Sequence, residues 1–151
     1  MGNMFDQFET DKDLEVDGIW IDYGDFRVKI GRAGGANKRY LSYADTKTKP
    51  FRRAIAAGTM PEERSRGLLY DIFAKTIVLD WQVADGVNED TGEMIWKQGI
   101  HKKDGGTLDF SYENVLLTFK LLPAIFFDIQ QAAESIALFR KEEMEADGKN
   151  S

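Results

Sequence analysis

The sequence predicts an α+β fold: a mainly α-helical single domain with an N-terminal β-hairpin packed on a helix bundle. Three patterns carry this expectation. Apolar and polar residues alternate strictly around Gly24-Asp25, an apolar stripe at three- and four-residue spacing runs from Leu68 to Trp81, and a second such stripe runs from Ile125 to Phe139. With 151 residues and 42% hydrophobic content, the chain suits one domain with a substantial core.

Residues 1–17 are rich in Asp and Glu with scattered Phe5, Phe8, Leu14 and Val16, which predicts a flexible acidic arm. The hairpin is expected over 18–31. A two-residue loop at Gly24-Asp25 pairs Tyr23 with Phe26, Ile21 with Val28 and Ile19 with Ile30 on a core face, leaving Trp20, Asp22, Arg27 and Lys29 on the other. Gly31-Arg32-Ala33-Gly34-Gly35 stands where a phosphate-cradling loop would. It lacks both G-x-G-x-x-G and a closing Gly-Lys-Ser/Thr, so it reads instead as a tight turn into a helix capped by Asn37.

Helical structure is expected over 37–57, with Tyr40, Leu41 and Ala44 inward, Pro50 opening a second short helix and Gly58 ending it. The next helix, over 59–81, is the expected spine. Thr59 and Glu62 fit a capping box, Pro61 is tolerated in the first turn, and Leu68, Leu69, Ile72, Phe73, Thr76, Ile77 and Trp81 form its stripe, with Arg66, Asp71 and Lys75 away from it. Residues 82–110 read as an irregular excursion or a second, polar hairpin between 94–100 and 107–110. The acids in 85–93 miss the calcium-loop register. Ser111 caps a helix that continues, kinked or restarted at Pro123, over 111–145, and 146–151 is an expected disordered tail.

With no cysteine there is no thiolate nucleophile or Cys-based zinc site, and the single His101 cannot form a His cluster. The longest apolar stretch, 115–129, is too short to span a membrane and is interrupted by Lys120, Pro123 and Asp128, so a soluble intracellular protein without membrane attachment is expected. Nucleophile, base and stabilising groups do not converge in any motif, which predicts a non-enzyme with no catalytic residue, metal or cofactor. The net charge is −6, yet 27–66 is a basic island between acidic flanks. Lys38, Arg39, Arg52 and Arg53 are its surface candidates for a nucleic-acid or acidic partner, and intrachain pairing explains the same pattern. Trp81, Trp96, Phe126 and Phe127 are the candidate partner-binding aromatics. Adjacent Phe126 and Phe127 cannot both face one stripe, so the second packs under the 94–110 segment or against a partner.

Five strings carry a resemblance: Gly-Ile-Trp-Ile-Asp-Tyr-Gly at 18–24, Phe-Arg-Val-Lys-Ile-Gly-Arg-Ala-Gly-Gly-Ala-Asn-Lys at 26–38, Thr-Lys-Pro-Phe-Arg-Arg-Ala-Ile at 48–55, Asp80-Trp81, and Phe-Ser-Tyr-Glu-Asn-Val at 110–115. Together they resemble the tail assembly chaperones of tailed bacteriophages, although the 94–107 segment is longer than that family's pattern. The resemblance implies a non-enzymatic factor in the host cytoplasm that binds the tape-measure protein, recruits the tail-tube protein, can self-associate, and is absent from the finished virion. Related chaperones are often made in a short and a frameshifted longer form. A structural tail or connector subunit and a nucleic-acid-binding protein are the alternatives.

Overall fold

A computed structural model describes residues 2–140. Its centre is a four-stranded antiparallel sheet in meander order: β1 (Ile19–Asp22), β2 (Phe26–Ile30), β3 (Val78–Val87) and β4 (Met94–Gln98). Helices α3 (Lys38–Thr48), α5 (Glu62–Thr76), α6 (Tyr112–Leu121) and α7 (Pro123–Glu134) cover one face, with α4 (Arg52–Ala57) beyond a 3-10 turn at Lys49–Phe51. The α+β class is as expected, but the sheet has four strands where the sequence predicts a two-stranded hairpin.

The hairpin pairs in the predicted register, Ile19 with Ile30, Trp20 with Lys29, Ile21 with Val28 and Asp22 with Arg27. Tyr23 and Phe26 stack at 4.8 Å across the turn, and the Tyr23 amide donates to the Phe26 carbonyl. Asn37 caps α3 by accepting from the Tyr40 amide, and Ser111 caps α6 by accepting from the Asn114 amide. Gly58 ends α4 at φ 71°. In α3 it is Tyr40, Tyr43 and Ala44 that pack on the core, whereas Leu41 is exposed.

The expected 59–81 spine is corrected at both ends. Pro61 is the N-cap and no side chain caps the helix, so Thr59 and Glu62 do not form a capping box. The helix ends at Thr76, and Trp81 lies in the third strand. The reason is a bulge: between Lys29 and Ile30 of β2 the partner on β3 jumps from Asp80 to Val78, leaving Leu79 unpaired. Val78 and Trp81, three residues apart, therefore both face the core, which imitates helical spacing inside a strand. Within α5, Tyr70, Ile72, Phe73, Ala74 and Thr76 are buried while Leu69 is exposed.

Residues 82–110 are ordered rather than irregular: β3 continues to Val87, β4 pairs with it, and β5 (Ile100–His101) and β6 (Thr107–Leu108) form a small second hairpin. At Pro123 the chain starts a new helix, with α6 and α7 at 113°. The restart at Pro123 is one of the two expected outcomes, but the new helix ends at Glu134, short of the expected 145, and a 3-10 turn at Ile136–Phe139 follows Ser135. The expected tail 146–151 lies outside the described residues.

The acidic segment is not a free arm throughout. It carries α1 (Met4–Phe8) and α2 (Lys12–Asp17), Thr10 forms an antiparallel bridge with Arg140, and the Asp11 amide donates to the Phe139 carbonyl at 2.7 Å. Glu15 is fully buried, paired with Arg32 and accepting from the Ala36 amide. It fills the glycine turn from within: a Cβ on Gly35, whose φ is 55°, would lie 2.0 Å from a Glu15 carboxylate oxygen. The anion in this loop is the chain's own.

Asp71 joins three helices. It accepts from Tyr43 of α3 at 2.9 Å and from Tyr112 of α6 at 2.6 Å, with Lys47 3.7 Å away. Burial and then the Asp71 hydrogen bond push Tyr43 up to about 12, and Tyr112 is raised first by its bond to Asp71 and then by burial.

Two outcomes follow from these contacts. Replacing Trp81 with Ala should lower the unfolding free energy in a urea titration by about 3–5 kcal/mol, as for other buried aromatics; an unchanged midpoint would place the ring outside the core. The tyrosine phenols are held protonated in the fold, so their contribution is intact below the unfolded value of about 10 and disappears as pH rises through the raised folded values. Wild-type urea midpoints should accordingly fall more steeply above pH 10 than those of Tyr43→Phe/Tyr112→Phe, and parallel profiles would remove Asp71 from the account.

Candidate functional site

An open apolar groove lies between the β5–β6 hairpin and the α6–α7 corner. Local sequence builds each wall. Gly99 turns the chain out of β4 at φ 103°, where a Cβ would meet the Thr107 methyl at 2.3 Å, so a side chain there would block the close pairing that follows. Ile100 then pairs with Leu108 and His101 with Thr107, and the loop closes through the Lys102 amide donating to the Gly106 carbonyl. Trp81 holds this hairpin against the body: its indole N–H donates to the Leu108 carbonyl at 3.1 Å, and Phe110 packs edge-on to its ring at 5.7 Å.

The opposite wall is α6. Val115 and Phe119 face the core, which turns Leu117 and Leu121 outward, and Pro123 ends the helix so that Leu122 stands at the bend. Leu121 is 69% and Leu122 58% exposed. The groove between the walls has a volume of about 820 Å³, an apolar floor from Ile100, Leu108, Leu117 and Leu121, and a rim of His101, Lys102, Lys103 and Asp104. A pocket of about 170 Å³ adjoins it through Ile100, His101 and Leu122 and runs to Phe26 and Ile125 at the turn end of the β1–β2 hairpin. Thr118 spends its hydroxyl on the Asn114 carbonyl at 2.8 Å. This arrangement suits burial of a row of apolar side chains beside a cationic edge, which is how a groove receives an amphipathic helix.

The predicted aromatic residues do not converge there. Trp81 is buried behind the groove wall, and Phe126 is in the core with Tyr70, Phe119 and Phe73 at 4.7, 5.2 and 5.3 Å. Phe127 is 55% exposed and touches Phe126 edge-on, so it does not pack under the 94–110 segment. Trp96 lies on the sheet face turned away from the helices, where the Arg27 guanidinium sits 4.1 Å from the Trp20 ring centre and 4.4 Å from that of Trp96. Gln82 accepts from Arg27 at 2.5 and 2.8 Å.

Lys38, Arg39, Arg52 and Arg53 are exposed near the starts of α3 and α4, but Arg52 is paired with Asp45. Elsewhere in the basic island Arg32 pairs with Glu15, Lys47 with Asp71 and Arg66 with Glu62, and of these partners Glu15 and Asp71 come from outside the island. Among the described residues no group of three or more His, Asp or Glu side chains could hold a metal ion. Nor is any single helix there long and apolar enough to cross a membrane; α6 and α7 meet that measure only as a sharply bent pair.

Sequence reasoning missed Leu117, Leu121, Leu122 and the basic rim. The available signal was surplus apolarity: α6 carries Val115, Leu116, Leu117, Phe119 and Leu121 within ten residues, more than one core-facing stripe requires.

A family model described as YdaY prophage protein matches residues 35–150, a span that includes both groove walls and begins beyond β2. No curated protein and no solved structure matches the chain.

The two adjacent phenylalanines should separate cleanly in stability measurements. Phe126→Ala is expected to cost about 3–5 kcal/mol, as a buried ring does, and Phe127→Ala less than about 1 kcal/mol, as at an exposed position. Equal losses in urea unfolding would contradict the placement of Phe127.

Proposed function

The chain belongs to the YdaY prophage protein family, and from that premise we propose that it is a phage tail assembly chaperone that binds the tape-measure protein and keeps it soluble. The observation that carries this reading is the groove: exposed Leu117, Leu121 and Leu122 beside Ile100 and Leu108, edged by His101, Lys102, Lys103 and Asp104. A tape-measure protein presents long helices whose apolar faces need cover until the tail forms, and a groove of this shape would shield one such face. The resemblance at 18–24, 26–38, 48–55, 80–81 and 110–115 supports the same role, including recruitment of tail-tube subunits. In this role the protein works by binding rather than catalysis, in the host cytoplasm, and leaves before the virion is complete.

Co-expression with the tape-measure protein of the same phage genome tests this. Wild type should raise that protein's solubility and co-purify with it, and Leu117→Asp/Leu121→Asp, altered only at exposed positions, should fold but lose the complex. Absence of any complex, or one indifferent to the double substitution, would sink the proposal, as would finding the chain among the proteins of purified virions by mass spectrometry.

A further inference from the structure

The glycine turn at 31–37 is held in shape by bonds that do not involve the N-terminal segment. The Gly31 amide donates to the Ile77 carbonyl and the Ala33 amide to the Ala133 carbonyl, both at 2.9 Å. The Asn37 side-chain amide donates to the Arg32 carbonyl at 2.9 Å, while its oxygen caps α3. Bonds to the α5–β3 junction, to α7 and within the turn therefore fix the loop. Its inner surface presents one guanidinium nitrogen of Arg32 and the Ala36 amide, and each takes one oxygen of the Glu15 carboxylate. That planar group lies flush against Gly35, where a Cβ would stand 2.6 Å from the carboxylate carbon. The turn is thus a preformed receptor for a carboxylate, and the one it holds belongs to α2.

The segment that supplies this carboxylate has little else to hold it. α1 buries none of its residues and α2 buries only Glu15. Met4, Phe5, Phe8 and Val16 are exposed and Leu14 is only half-buried, so apolar burial contributes little to docking. What remains is backbone bonding at two points: Asp11 to Phe139 with the Thr10–Arg140 bridge, and the Arg32 amide to the Glu15 carbonyl at 3.0 Å. Backbone bonds of this kind exchange with water at small net gain. The buried charge pair is the latch, because removing one partner leaves the other without a counterion, whereas lifting the segment returns both to water.

We propose that the turn at 31–37 is a carboxylate-binding site which α2 holds occupied in cis, so that a carboxylate from another molecule enters only when residues 2–17 lift away. Tethered Glu15 competes at an effective concentration of about millimolar or more, and a small acid loses to it while the segment is docked. The site stands at the end of α7 away from the groove, and the proposal does not rest on the chaperone reading.

Amide NMR of the full chain tests this, with acetate titrated at constant ionic strength. In Glu15→Ala the Ala36 resonance should shift saturably with acetate, in wild type it should stay in place over the same range, and in Glu15→Ala/Arg32→Gln the response should vanish. Inorganic phosphate, tetrahedral where the cradle is flat, should give no saturable shift. Exchange of the Asp11 amide reads the latch: it should run about ten- to a hundredfold faster in Glu15→Ala than in wild type, as loss of a charge-assisted pair allows. Glu15→Gln, which keeps the side chain's shape, should give the same two results and replaces the alanine variant if that one does not fold. A blocked tripeptide with a central glutamate binding more tightly than acetate identifies a polypeptide acid as the ligand, and acetate binding alone a free small acid. No saturable shift in the Glu15 variants, the same titration in wild type, binding that survives loss of Arg32, phosphate binding as tightly as acetate, or an unchanged Asp11 exchange rate would each overturn the proposal.

Discussion

The hydrogen bond from the buried Trp81 indole to the Leu108 carbonyl ties the molecule's layers together. A tryptophan can be buried at low cost only if its N–H finds an acceptor, and here the acceptor belongs to the small β5–β6 hairpin. The ring's own strand is interior to the sheet, paired with β2 on one side and β4 on the other. Satisfying one polar atom therefore positions the hairpin that forms a groove wall, while the rest of the ring helps close the core against Val115, Phe119 and Ile129. The groove is shaped by core packing behind it, and its lining residues were left free to be apolar and exposed.

The sequence was legible where local chemistry decides structure. The first hairpin read correctly because period-two alternation and Gly24-Asp25 point to the same register. The caps at Asn37 and Ser111 and the stop at Gly58 were equally local. The error at 77–81 has an identifiable source. A bulge at Leu79 puts Val78 and Trp81 on one face three residues apart, and such spacing in a short apolar run suits either a helix or a bulged strand. The β-branched cluster Thr76, Ile77 and Val78 was the overlooked hint toward a strand.

Features depending on distant partners were less accessible. Glu15 sits among acids that composition marks as solvated, and only the fold reveals that its carboxylate enters the turn at 31–37 and meets Arg32. The same contact accounts for Gly35, where a side chain would collide with the carboxylate. Likewise, the groove is assembled from β5, β6, α6 and the bend at Pro123, elements whose juxtaposition no single stretch encodes. Its one trace in the sequence was an excess of leucine on α6.

The Trp20–Arg27–Trp96 stack has an optical consequence. The chain's three tryptophans fall into two environments: Trp81 is enclosed in hydrocarbon, and Trp20 and Trp96 flank a cation at the solvent side of the sheet. Indole emission shifts to longer wavelength in polar surroundings, so the blue part of the spectrum belongs to the ring behind the groove and the red part to the opposite sheet face. Intrinsic fluorescence can thus distinguish an event at the groove from one at the sheet without any added label.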